Sequence, residues 1–123
     1  MAHVLLIDDD VQFRPMLEQM LTQDGHRVTI ASDGEEGLRL AVAIHPDLVI
    51  TDILMPRMDG IEAIRAMAQA GLAMPIIAMS GGRRAVSAEF NLNSAAMMGV
   101  NVTLPKPFSR KDLRDAIKRA MVT

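Results

Sequence analysis

Asp8, Asp9, Asp10, Asp52, Ser80 and Lys106 are the side chains of this sequence whose types and spacing could do chemistry together. The first three belong to the run LLIDDD, where three carboxylates follow apolar residues with no basic residue between them. Carboxylates crowded into one crevice repel, which raises the cost of keeping all of them ionised. A hard divalent cation removes that cost, and Mg²⁺ suits one or two carboxylates together with waters and phosphate oxygens. A lysine such as Lys106 supplies a positive point charge to a phosphoryl oxygen, and a serine hydroxyl such as Ser80 can donate a hydrogen bond to the same group. Phosphoryl transfer asks for little beyond such positioning and neutralisation. A carboxylate can itself be the nucleophile, giving an aspartyl phosphate, and it needs no histidine base.

Each residue also has an ordinary explanation. Asp10 reads first as the cap of a following helix. Asp8 and Asp9 taken singly are loop acids, Ser80 before Gly81-Gly82 is turn chemistry, and Lys106 between Pro105 and Pro107 is a solvated loop lysine. Asp52 resists such a reading, because DLVITDILMP sets it directly behind buried apolar residues.

The elements that must position these groups alternate along the chain. Short apolar runs at Val4–Ile7, Val28–Ile30, Leu48–Thr51, Pro75–Met79 and Val102–Leu104 read as buried strands. Between them lie helical spacings: Phe13, Leu17, Met20 and Leu21, with Pro15 disturbing the first turn; Leu38, Ala41 and Val42, opened by Ser32 with Glu35 as a capping box; Ile61, Ile64 and Met67, opened by Asp59 with Glu62; and Leu113, Ala116, Ile117 and Ala120, opened by Ser109 with Asp112. Arg84–Met98 is the weakest helical pattern, interrupted by Asn91, Asn93 and Ser94. Five strands alternating with five helices predict a parallel sheet covered on both faces. In such a sheet ligands sit beyond the carboxyl ends of the strands. The acid run follows the first strand, Asp52 closes the third, Ser80 the fourth, and Lys106 follows the fifth, so all converge on one edge.

The bulk numbers narrow the setting. At 123 residues, half of them hydrophobic, the chain is expected to be one domain that ends with its last helix and holds no attached output domain. A formal net charge of -2 and no basic run longer than Arg83-Arg84 argue against nucleic acid or anionic membrane as the main partner. No cysteine is present, which excludes disulfide and thiolate chemistry. Neither a secretory signal nor an apolar run long enough to span a bilayer is visible, and a cytoplasmic setting is compatible. Eleven methionines against three aromatics, Phe13, Phe90 and Phe108, predict a core filled with methionine. A methionine-rich docking face is the alternative.

The segments LLIDDD, PDLVITDILMPRMDGIE, PIIAMSG and LPKPF, in this order and spacing, resemble the receiver domain of bacterial two-component response regulators, of the CheY-like superfamily, over essentially the whole chain. The resemblance implies a flavodoxin-like sheet of order 2-1-3-4-5, in which the first and third strands are neighbours. It implies that Asp52 is the phosphoacceptor, receiving phosphate from the phosphohistidine of a sensor histidine kinase or a histidine phosphotransfer protein. Asp9 would bind Mg²⁺ (or Mn²⁺) directly, Asp8 through water, and the backbone carbonyl of Leu54 would add a further ligand. Lys106 matches the lysine that pairs with the phosphoryl group, Pro107 the proline that often follows a cis bond, and Ser80 the switch hydroxyl. The sequence departs from the family at Thr103, where a Tyr or Phe usually rotates to report phosphorylation; a β-branched hydroxyl residue cannot do this, so activation is expected to be weak or read another way. The stretch from Ser80 to Lys106 is a few residues longer than usual, and its Arg83 and Arg84 read as a solvated pair, with phosphate contact as the alternative.

The leading expectation is therefore a phosphorylatable switch or relay that binds a further protein, not a turnover enzyme, with no direct nucleic-acid binding and no membrane insertion. Two other readings compete. Asp8-x-Asp10 followed by Val11 loosely imitates the nucleophile motif of haloacid-dehalogenase-like phosphatases, although the chain is short for them and lacks a late acidic pair. A phosphate-independent pseudo-receiver is supported by Thr103 and opposed by the intact Asp9, Asp52 and Lys106. No GxxxxGK[ST] occurs, which excludes a P-loop enzyme.

Overall fold

The computed structural model describes residues 2–53, 60–81 and 100–122. Its strands are β1 (His3–Ile7), β2 (Arg27–Ala31), β3 (Leu48–Asp52), β4 (Ile76–Gly81) and β5 (Val102–Lys106). Its helices among the described residues are α1 (Phe13–Gln23), α2 (Gly34–Ile44), α3 (Gly60–Gln69) and α4 (Arg110–Met121). The strands form one parallel sheet in the order β2-β1-β3-β4-β5, as the sequence led us to expect. The helix expected over 84–98 and the Asp59 cap lie outside the described residues, as do Leu54, Arg83 and Arg84.

Alternation along the strands builds two cores. Val4, Leu6, Leu48, Ile50, Ile77 and Met79 meet Leu17 and Leu21 of α1 and Leu113, Ala116, Ile117 and Ala120 of α4 on one face. Leu5, Ile7 and Val49 meet Ala41 of α2 and Ala63, Ile64 and Met67 of α3 on the other. Strands covered on both faces have no polar side to alternate with, which is why β1 and β3 read as unbroken apolar runs. Methionine does fill the core at Met67 and Met79, while Met16 and Met121 are exposed.

Several boundaries differ from the sequence reading. The capping box at Ser32 and Glu35 moves one residue on: Asp33 is extended and its carboxylate accepts from the Glu36 amide at 2.8 Å, while Glu36 accepts from the Ser32 amide at 2.6 Å. Val42, expected to face inward, is exposed. The buried face of α2 is instead Gly34, Gly37 and Ala41, and a Cβ on Gly37 would come within 2.8 Å of the Ile7 Cγ1. Lys106 is the last residue of β5 and does not follow it. Pro15 lies inside α1 without ending it. The Ser109 and Asp112 capping box is present, with both reciprocal bonds at 3.0 Å.

The corner after β3 depends on Gly60, whose amide donates to the Ile53 carbonyl at 2.8 Å. A Cβ there would run into the Asp52 carbonyl and approach the Ile53 Cα to 2.8 Å. Backbone cannot step aside as a flexible side chain can. Gly60→Ala is therefore expected to destabilise the protein by about 1–3 kcal/mol, the usual cost of overpacking, read as a lower urea midpoint; an unchanged midpoint refutes the close-approach role of this glycine.

Candidate phosphoacceptor site

Strand register brings the chemistry-bearing residues together. Ile7 pairs with Thr51, so Asp8 emerges beside Asp52 at the carboxyl edge of β1 and β3. Asp52 pairs with Met79, and Gly81 with Lys106, which sets Ser80 and Lys106 at the same edge. Asp8 is fully buried, Ser80 is 1% exposed and Asp52 8% exposed. Burial of this kind costs free energy unless the charges are paired.

Lys106 provides that pairing. Its Nζ donates to Asp52 Oδ2 at 3.0 Å and to Asp8 Oδ2 at 3.3 Å. One ammonium thus serves two carboxylates, and the balance of charge in the crevice stays negative. Burial, above all, pushes the Asp52 pKa from 3.8 up to about 6; the Lys106 charge pulls it down, and the negative charges of Asp8 and Asp9 add to the rise. Carboxylate oxygens of Asp8, Asp9 and Asp52 all lie within 4.8 Å of one another. Three hard oxygen donors at that separation, with an unneutralised charge between them, fit a divalent cation.

The remaining expected residues sort clearly. Asp10 is a cap: its Oδ1 accepts from the amides of Gln12 at 2.9 Å and Phe13 at 3.1 Å, and its carbonyl accepts from Arg14. It lies exposed and turned to α1, which removes the second acid that the phosphatase reading of Asp8-x-Asp10 requires. The Ser80 Oγ is buried and makes no hydrogen bond among the described residues, so its hydroxyl has a donor to offer. The Lys106-Pro107 bond is cis, in keeping with the resemblance. Thr103 sits half-buried on β5.

Three contacts were not legible beforehand. Arg14 Nη1 donates to the Asp8 carbonyl and to Ser32 Oγ, each at 3.2 Å, tying α1 to the acid run. The Lys106 Nζ lies 4.3 Å from the centre of the Phe13 ring. Phe13 reads from its spacing with Leu17 as a core residue only, and no local pattern announces a lysine 93 positions away in the chain.

Comparison with known proteins agrees with this geometry. The family described as the response regulator receiver domain matches residues 4–118. The alkaline phosphatase synthesis transcriptional regulatory protein PhoP of Bacillus subtilis is 32% identical over 94% of this chain and 46% of its own length. Response regulator MprA of Mycolicibacterium vanbaalenii is 36% identical over 91% of the chain and 47% of its own. The chain therefore spans about half the length of these curated relatives. Among solved structures, chemotaxis protein CheY4 of Vibrio cholerae superposes with a TM-score of 0.85 at 30% identity, covering 98% of each chain. No helix among the described residues is long and apolar enough to cross a membrane. With the sheet order, the acidic crevice and its lysine in place, the chain belongs to the receiver domain family of two-component response regulators.

Proposed function

We propose that Asp52 accepts a phosphoryl group from the phosphohistidine of a sensor histidine kinase or a histidine phosphotransfer protein. The observation that carries this is the buried Asp52 carboxylate, held 3.0 Å from Lys106 at the strand edge it shares with Asp8. An Asp52 oxygen attacks phosphorus, the phosphorus–nitrogen bond breaks, and the imidazole leaves with the electron pair and takes up a proton. An acyl phosphate results, which water later hydrolyses back to the carboxylate. Lys106 turns from the Asp52 oxygen to a phosphoryl oxygen, while Asp8 and Asp9 stay along one wall. Mg²⁺ (or Mn²⁺), held by Asp9, Asp52 and the Leu54 carbonyl, with Asp8 reached through water, would neutralise the charge that gathers on the transferring group. The Ser80 hydroxyl donates to the phosphoryl group once it arrives, and partner binding follows that movement. The domain turns over no substrate of its own and acts in the cytoplasm, where kinase phosphohistidines form, and residues 1–123 make up one receiver domain.

Incubation with acetyl phosphate and Mg²⁺, read by intact mass, is expected to add one phosphoryl group to the wild type and none to Asp52→Asn. A wild type that gains no mass, or equal gain at the same site in the variant, overturns the proposal. Repeated turnover of generic phosphomonoesters instead supports a phosphatase.

Ser80→Ala is expected to keep phosphorylation while partner binding loses its dependence on phosphate. Unchanged dependence rules out the switch role of Ser80.

A stability measurement tests the electrostatics separately. The folded state holds the Asp52 proton more tightly than the unfolded chain does, so the contribution of Asp52 to stability falls as pH rises from about 4 through about 6 and levels off above. Without divalent cation at pH 7.5, Asp52→Asn should be more stable than wild type by about 1–3 kcal/mol. That advantage should vanish below pH 4, where both side chains are neutral, and shrink when Mg²⁺ is added. Urea midpoints at the two pH values check this; a variant no more stable at pH 7.5 contradicts it.

A further inference from the structure

We propose that Phe13 is a positioning residue for Lys106, its ring face holding the ammonium over the acidic crevice. The inference rests on the reading of Lys106 as the lysine that meets the phosphoryl group. The Nζ stands 4.3 Å from the ring centre, inside the range of about 6 Å over which a ring quadrupole attracts a cation. The lysine side chain is 12% exposed, so water competes little for the charge and the attraction gains strength.

The ring is itself braced. Phe108, two residues beyond Lys106, meets Phe13 edge to face, with centroids 5.5 Å apart and planes at 86°. Pairs of this kind prefer that geometry. The Phe13 backbone is fixed by the Asp10 cap, whose Oδ1 accepts its amide at 3.1 Å. The chain has three phenylalanines, no tyrosine and no tryptophan, yet two of the three stand at this lysine. A lysine stem is long and flexible and its ammonium has no preferred direction of its own. Asp8 and Asp52 hold it from the crevice side and the ring holds it from the α1 side. The ring contact and the Asp8 contact do not involve Asp52, and of the two only the ring holds the ammonium without adding to the negative charge of the crevice.

Phosphorylation rates with acetyl phosphate and Mg²⁺ test this in the full chain. Phe13→Leu keeps apolar volume and removes the ring, and should slow phosphorylation about fivefold; Phe13→Tyr keeps the ring and should restore most of the rate. Progressive fluorination of the ring at position 13 weakens its hold on a cation with little change in size, so the logarithm of the rate should fall stepwise. In a Lys106→Gln background, Phe13→Leu should change nothing further. Without any donor, the Lys106 ε-methylene protons should resonate upfield in the wild type and return in Phe13→Leu. Equal rates across the fluorinated series, in a wild type that is phosphorylated on Asp52, overturn the proposal, and unshifted Lys106 resonances overturn it with or without a donor. A wild type that takes no phosphoryl group overturns the function proposed above, and the positioning role with it, even where the ring-current shift is intact.

Discussion

Packing carboxylates into one buried crevice with a single ammonium is the constraint on which the rest of this structure depends. Asp8 is wholly enclosed and Asp52 nearly so, and Lys106 must answer both. Removing such groups from water is expensive, and one cation cannot neutralise several anions. The site holds more acids than basic groups, and burial, above all, pushes the Asp52 carboxyl upward, with Asp8 and Asp9 adding to it and Lys106 opposing. A shortage of this kind favours whatever brings a cation, or whatever moves negative charge outward onto a group that can be neutralised. Tolerance of that strain comes from the two apolar cores on either face of the sheet, which supply the stability that the crevice gives up.

Helix α1 connects the parts of the crevice that the sheet alone would leave apart. Asp10 caps it, and within the next residues Phe13 lies under Lys106 and Arg14 reaches back to the Asp8 carbonyl. The third acid of the run thus acts through structure, by orienting the turn that brings an aromatic ring and a guanidinium to the site. Opposite, Gly60 lets α3 start against the backbone of Asp52 and Ile53. Farther away, Asp24 at the end of α1 accepts from Arg114 and pairs with Arg110 of α4, holding together the helices that cover the first core.

Legibility in the sequence followed from how local each cause is. The Ser109 and Asp112 box was readable because the acceptor, the spacing and the apolar run agree within one turn. At α2 two acceptors stand side by side, Ser32 and Asp33, each with a glutamate three residues on; only the extended backbone at Asp33 chooses between them. Val42 misled because the fully buried positions of α2 are glycine and alanine, which weigh little in a hydrophobic pattern, with Leu38 and Leu40 packing partly buried beside them, so the larger valine stood in for them. Lys106 looked like a loop residue between two prolines. It belongs to β5 because β5 is an edge strand, where Pro105 can lack an amide donor without breaking a shared ladder.

By itself the sequence determined the alternation of strands and helices, the covered faces of the central strands, and the residue types available at their ends, because each is written in spacings of a few residues. Tertiary structure alone decided that Lys106 reaches Asp8 across 98 positions and Asp52 across 54. It also decided that Phe13 lies beneath that lysine and that Asp52 holds its proton to about pH 6. Those outcomes depend on sheet order, register and burial, which arise only when distant segments pack together and water is excluded from between them.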